Sequence, residues 1–321
     1  MEHYEVTIVG AGLSGITAAR RLHKQGRTNF ILVDKGKSVG GRLATRRVAD
    51  GKVDHGAQFF TVRTDELGEE VQNWLKEGWI KHWFGDPYPR YTAIDGMNSL
   101  AKHLAEGIRA SLHTKITQIV KYPDGYRVYD DKMNVWKSDK ILLTMPVPQV
   151  MELLKASDVE VVDLEMNKLR SILFEPAYVG IYHFRSPTGL PEDGHLDKNL
   201  PKDVERVVDH QKKGISKDTL VSVYMNGDWS RRYYGEDYVR TLIREKVDRY
   251  FDWKDLESEQ LKRWRYAQAK KVLKESYLDL AGDGTLVVAG DAFLRENDEA
   301  GRTRFESAFL SGKDAAAYLS W

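Results

Sequence analysis

The chain has 321 residues, of which 41% are hydrophobic and 30% charged, with 49 Lys+Arg against 48 Asp+Glu and no cysteine. That is the material of about two domains with a sizeable core, well away from disordered or collagen-like compositions. A net charge of +1 leaves no electrostatic footprint for non-specific nucleic-acid or anionic-membrane binding, and the missing cysteine excludes disulfides, thiolate metal sites, iron–sulfur clusters, a CxxC pair and cysteine-linked cofactors.

Any redox chemistry must therefore be carried by a bound cofactor, and no metal site is expected. No apolar run approaches the roughly 20 residues of a membrane span; the longest are around Ile141–Pro148 and Leu286–Ala289. The chain opens Met1-Glu2-His3-Tyr4 and passes into a strand pattern without the basic and apolar regions of a signal peptide, so a cytoplasmic location is expected.

Tyr4–Val9 reads as a buried strand rich in β-branched residues. Gly10-Ala11-Gly12-Leu13-Ser14-Gly15 follows at once, and Ile16–Gln25 reads as a helix with Ile16, Ala19 and Leu22 inward and Gly26 as its stop. Phe30–Val33 is a second apolar strand and runs into Asp34. In this order Gly10 permits a tight turn, Gly12 lets a pyrophosphate approach the backbone, and Gly15 lets helix and strand pack closely. The helix N-terminus faces the phosphate, and Asp34 stands where an acid hydrogen-bonds ribose hydroxyls. The unit predicts dinucleotide binding. Gly40-Gly41-Arg42, a few residues on, suits FAD better than NAD alone: the glycines bring backbone near the pyrophosphate and Arg42 neutralises it.

Further along, Ile141–Pro146 and Thr285–Asp291 read as buried parallel-type strands, the second ending in Gly-Asp, which puts Asp291 at a strand's carboxyl end where open α/β sheets bind ligands. Lys168–Arg265 is dense in aromatic and charged residues, with strand-like spacing at Val179, Ile181 and His183. Tyr238–Asp252 reads as an amphipathic helix with Leu242, Val247 and Phe251 inward. Leu190–Asp203 and Arg295–Thr303 read as exposed loops. The final helix, about Phe305–Ser320, carries small residues at Ser307, Ala308, Ser311, Gly312, Ala315 and Ala316; close approach to a planar ring and tight helix packing both explain them.

The combination of GAGLSG at Gly10–Gly15, Asp34, GGRLATRR at Gly40–Arg47, DHGAQFFTVR at Asp54–Arg63, GDAF at Gly290–Phe293 and the closing ESAFLSG segment resembles the flavin amine-oxidase superfamily, and within it the renalase-like branch of bacterial FAD-dependent oxidoreductases. The resemblance covers residues 1–65 and 262–319 well and the middle loosely. It implies an α/β protein: a Rossmann-type FAD-binding domain of discontinuous segments (1–75, 96–165 and 266–321), with an inserted α+β substrate domain containing an antiparallel sheet (76–95 and 166–265).

With that resemblance, non-covalent FAD is expected at Gly10, Gly12, Leu13, Ser14, Gly15, Asp34, Lys35, Gly41, Arg42, Leu43, Gly56, Ala57, Gln58, Phe59, Ile116, Asp291, Phe305, Ser307 and Ala308. Gln58, Phe60, Thr61, Arg63, Thr92, Tyr182, Trp264, Arg265 and Tyr266 are the candidates to face substrate. Aromatics supply stacking surface and arginines anion recognition. His55 reads as a structural histidine. Arg46, Arg47, Arg63 and Arg90 offer charge to a phosphate-bearing substrate, or form a solvated basic face.

No second glycine-turn unit follows, so the electron donor is expected to bind directly over the flavin and deliver a hydride to N5, with reoxidation by O2 to H2O2. No catalytic side chain is assigned. By the resemblance the donor is an isomer of dihydronicotinamide dinucleotide. The alternatives are an amine-oxidase or desaturase-type member of the superfamily, and a non-catalytic flavin- or nucleotide-binding protein.

Overall fold

The computed structural model describes residues 1–319. Ser320, at the end of the expected last helix, lies outside them. Five parallel strands form the centre of an eight-stranded sheet, in the order Leu286–Val288, Val135–Leu143, His3–Val9, Phe30–Val33 and Ala110–Ser111. Leu278–Asp279 pairs antiparallel to Leu286–Val288 on one side, while Gly125–Asp130 pairs with the first half of Val135–Leu143 and carries Ile116–Tyr122. Tyr4–Val9, Phe30–Val33, Leu286–Val288 and the end of Val135–Leu143 are buried on both faces, which is why they read as continuous apolar runs. Val6, Ile8, Leu32 and Leu142 face the helices Leu13–Lys24 and Phe305–Leu319. Ile31, Val33, Ile141 and Leu143 face a second cluster with Val150, Leu153 and Leu169 from the helices Val147–Lys155 and Asp163–Ser171.

A separate five-stranded antiparallel sheet has the order His195–Leu196, Val204–Asp209, Thr219–Met225, Leu173–Phe184 and Leu256–Lys271. Its outer face packs Tyr178, Tyr182, Phe184, Val221 and Val223 against the helices Gly227–Arg232 and Val239–Val247. Its inner face packs Val179, Ile181, Leu220 and Tyr224 against Val48 and Val53 of the hairpin Thr45–Val48/Gly51–Asp54. A fold with a Rossmann-like parallel sheet and an antiparallel companion is thus present as expected.

Several element bounds differ from the sequence reading. The first helix begins at Leu13 rather than Ile16, because the glycine turn ends at Gly12, whose extended backbone is the N-cap. The strand expected at Ile141 starts at Val135, its first half held by Gly125–Asp130. The strand expected over Thr285–Asp291 is only Leu286–Val288. The helix expected to reach Asp252 stops at Val247 and continues as a single 3-10 turn, Asp248–Tyr250. Within Leu190–Asp203, expected to be exposed, Leu190 and His195 are buried and His195–Leu196 adds an edge strand. The strand Leu256–Lys271 runs through residue 265 unbroken, so the two proposed regions share one long strand.

Candidate functional site

The turn after the first strand is built from close backbone approaches. Gly10 has φ +111°, and a Cβ there would sit 2.7 Å from Thr144 Oγ1. A Cβ on Gly15 would lie 2.0 Å from the Gly10 carbonyl oxygen. Gly12 differs: nothing lies within 4 Å of its Cβ position, so its backbone borders open space at the start of the helix. Asp34 accepts from Ala11 N at 2.7 Å and from Gly36 N at 2.6 Å, pinning the glycine turn to the loop after the second strand. Gly12 and Gly40 form an isolated parallel bridge, which carries Gly41 and Arg42 across to the same space.

That space is a cavity of about 2570 Å³, well above the roughly 300–1,000 Å³ of a single drug-sized ligand site. It has room for a dinucleotide and a second molecule. Its wall includes Gly10, Gly12, Leu13, Ser14, Asp34, Lys35, Gly41, Arg42, Leu43, Gly56, Ala57, Gln58, Phe59, Ile116, Asp291, Phe305 and Ala308 of the expected cofactor residues, and Phe60, Thr61, Arg63, Trp264, Arg265 and Tyr266 of the expected substrate residues. Gly15 and Ser307 stand behind the wall. Ser307 Oγ donates to the Asp291 carbonyl at 2.9 Å and shapes the turn that presents Asp291.

Two expected substrate residues are not brought to the cavity. Tyr182 is buried on the outer face of the antiparallel sheet against Phe184 and Trp253, because alternate residues of a strand point to opposite faces and the inner positions are Val179 and Ile181. Thr92 is fully buried, its hydroxyl donating to the Gln58 carbonyl at 3.2 Å. Phe60 lines the cavity but is itself buried, its ring stacked on Phe305 at 4.3 Å between centroids.

Arg42 and Asp291, both expected at the cofactor, meet each other. The guanidinium donates to the two carboxylate oxygens at 2.8 and 2.5 Å and to the Ala267 carbonyl at 3.1 Å, a bidentate pair that fixes a cation on the cavity wall. Among the described residues, Ser14 Oγ is buried with no hydrogen-bond partner. An open glycine, an orphaned hydroxyl, a helix N-terminus and a fixed arginine at one place fit a pyrophosphate.

At the other end, His55 stacks on Trp264 with centroids 5.5 Å apart, and Trp264 Nε1 donates to the His55 carbonyl at 2.7 Å. Burial, with the charges of Lys262 and Arg46 nearby, pushes the imidazole down to about 4, so it is neutral at pH 7 and its buried Nδ1 is unpartnered. Glu306, in the first turn of the last helix, accepts from Arg63 N at 3.1 Å and Thr64 N at 2.8 Å. The helix N-terminus therefore meets the cavity through Phe305 and Ala308, beside an internal carboxylate. The small residues deeper in this helix serve packing: a Cβ on Gly312 would lie 2.1 Å from the Ser14 carbonyl oxygen.

Sequence reasoning missed a buried polar cluster beneath the wall. Lys213 and Asp54, both wholly buried, pair at 2.7 Å, with Gln58 and Tyr224 beside them. Within the run His210–Lys217 a lysine carries no local mark distinguishing it from a solvated charge. Thr144, whose hydroxyl donates to the Gly10 carbonyl at 2.7 Å, was equally silent.

Fold and site define an α/β protein with a Rossmann-type parallel sheet and an antiparallel sheet that border one cavity. A family model for flavin containing amine oxidoreductases matches residues 72–320, and one for NAD(P)-binding Rossmann-like domains matches residues 8–77. The chain belongs to the flavin-containing amine oxidoreductase family. Renalase from Mus musculus is 27% identical over 199 residues, 56% of this chain and 58% of that protein, so the aligned part is under two thirds of that relative. A crystal structure from Exiguobacterium sp. 255-15, provisionally named a protoporphyrinogen oxidase, superposes with a TM-score of 0.71 at 12% identity, over 100% of this chain and 99% of that one. A redesigned putrescine oxidase gives 0.68 at 14% identity, over 99% of both. Both structures share the fold. No helix among the described residues is long and apolar enough to cross a membrane.

Proposed function

We propose that the protein is a renalase-like oxidase that binds FAD non-covalently and oxidises isomers of dihydronicotinamide dinucleotides. The observation carrying this reading is the charge of the cavity wall: sixteen Lys and Arg line it, Arg46, Arg63, Arg90, Arg206, Lys262 and Arg265 among them, against eight Asp and Glu. A phosphate-bearing substrate gains from that excess of cations, and a protonated amine is repelled by it.

The glycine turn, Ser14 and Arg42 would hold the cofactor's pyrophosphate, and Asp291 its polyol hydroxyls through the carboxylate lone pairs left over from Arg42. When bound, FAD supplies a two-electron acceptor that O2 reoxidises with release of H2O2. The protein's own part is orientation. The Trp264 indole, stacked on neutral His55 and with Lys262 Nζ 5.0 Å from its ring centre, sets an aromatic surface beside a cation, and the arginines would take the phosphates as planar forks. The substrate then binds over the flavin with no side chain needed as a nucleophile, and neutral His55 adds no charge to the wall. Likeness to renalase over part of the chain supports the same substrate class.

The test is anaerobic mixing of the purified yellow protein with borohydride-treated NAD, which contains the unusual dihydro isomers. Rapid loss of flavin colour with those isomers but not with ordinary NADH or amines is the expected result, followed by stoichiometric H2O2 on admission of air. Bleaching by amines alone would overturn the substrate assignment in favour of an amine oxidase.

A further inference from the structure

A lysine is almost never fully buried unless it is paired, and burying such a pair costs desolvation that apolar side chains of similar size avoid. Lys213 is nonetheless wholly buried, and its Nζ has three acceptors: Asp54 Oδ2 at 2.7 Å, the Gln58 carbonyl at 2.7 Å and Gln58 Oε1 at 3.0 Å. Three acceptors match the three protons of an ammonium. The indole of Trp83 lies beneath, 4.7 Å from Nζ to the ring centre.

The turn that presents Lys213 is itself built for the purpose. Asp209 Oδ1 accepts from Gln211 N at 2.9 Å and Lys212 N at 3.2 Å, Lys213 N donates to the Asp209 carbonyl at 2.9 Å, and the Lys213 carbonyl accepts from Lys81 Nζ at 2.9 Å. On the other side Asp54 is held by Thr45 Oγ1 at 2.5 Å and Met97 N at 2.9 Å. Tyr224, from the same antiparallel sheet, puts its hydroxyl 3.1 Å from the Gly56 carbonyl and takes the Gln58 amide as donor. Two side chains of the antiparallel sheet region thus grip residues 54–58, of which Gly56, Ala57 and Gln58 line the cavity, as does Tyr224 itself. The peptide's other side is packed on the loop of Arg42, where a Cβ on Gly56 would lie 1.9 Å from the Arg42 carbonyl oxygen and Ala57 N donates to that oxygen at 2.9 Å; the side chain of Gln58 is the part that Lys213 and Tyr224 hold.

We propose that Lys213 is a positioning residue: by gripping Gln58 twice, it holds the Gly56–Phe59 peptide in the geometry that a flavin ring and a substrate above it require. This rests on the flavin reading given above. The buried charge pair is then there for the placement of one peptide, since an apolar pair would serve stability as well.

The test compares the full chain, loaded with FAD, as wild type, Lys213→Met and Lys213→Met/Asp54→Asn. The single variant strands the Asp54 carboxylate and lowers Tm by roughly 10 °C. The double variant removes both charges, keeps an acceptor for Thr45 and Met97 N, and recovers most of that loss. With stability recovered, the proposal expects the double variant to keep FAD affinity within a few-fold. Its visible flavin spectrum is expected to shift, and its flavin to be reduced at least about tenfold more slowly by the dihydro isomers. A double variant with wild-type spectrum and wild-type reduction rate would show the pair to be structural only and overturn the proposal, leaving the flavin reading intact. A wild type that takes up no flavin under any condition overturns both.

Discussion

Two glycines two residues apart, Gly10 and Gly12, do different work. At Gly10 a methyl group meets Thr144 and Met145 and the positive φ adds strain, so Gly10→Ala is expected to destabilise the apoprotein by about 1–3 kcal/mol. At Gly12 the backbone is ordinary (φ −77°, ψ −179°) and the space ahead is open. Gly12→Val is therefore expected to leave apoprotein Tm nearly unchanged while weakening flavin binding by at least about a hundredfold, read by ultrafiltration of the yellow protein; unimpaired binding would place the pyrophosphate elsewhere. Histidines set the response to acid. An unfolded histidine titrates near 6.5, whereas burial holds His55 and His195 down to about 4, and His210 is pushed in the same direction. As pH falls from about 7 to 4 the unfolded chain takes up protons that the folded one refuses, so stability is full above pH 7 and declines with acidification. Thermal melts across that range should show the decline, and His55→Asn should flatten it; an unchanged slope would mean that His55 is not buried neutral.

At the scale of elements, the last helix and the first hold the two ends of the chain together. Gly312 faces the Ser14 backbone too closely for any side chain, and that backbone belongs to the first turn of the helix whose N-terminus is expected to receive phosphate, so the contact cannot yield without moving the site. Gly312→Ala is expected to cost about 1–3 kcal/mol in urea unfolding with an unchanged slope, and to weaken flavin binding with it. The small residues were legible in the sequence, but two explanations fitted them, and only the neighbouring helix decides for packing at Gly312. Strand parity worked the other way at Tyr182. Its strand was readable from the spacing at Val179 and Ile181, yet which face of the sheet would look at the cavity depends on what packs on the other side, here the helices after Asn226.

For the whole molecule, the cavity sits where the parallel sheet, the closing helix and the antiparallel sheet meet, so a ligand filling it ties all three. Any ligand that binds only the folded state adds about 2.7 kcal/mol at a hundred times its Kd. FAD at that concentration is expected to raise Tm by about 5 °C. FMN lacks the adenylate half that the glycine turn and Asp34 would hold, and at equal concentration should give a small fraction of the shift. Equal shifts with the two flavins would count against the dinucleotide reading.

The sequence by itself determined what is local. A strand, a glycine turn, a helix, a second strand and an acid are written in consecutive residues, because backbone freedom at glycine and apolar periodicity act over a few residues at a time. The Gly10–Gly15 turn, Asp34 and the closing helix were readable for that reason. Tertiary structure decided the pairings between distant segments: Arg42 with Asp291, Lys213 with Asp54 and Gln58, Trp264 with His55. None of these has a local signature, since a charged or aromatic residue costs the same in the sequence whether it ends in water or in the core. Its role is set by which surface the fold closes over it, and for Lys213 that surface is the back of the cavity wall.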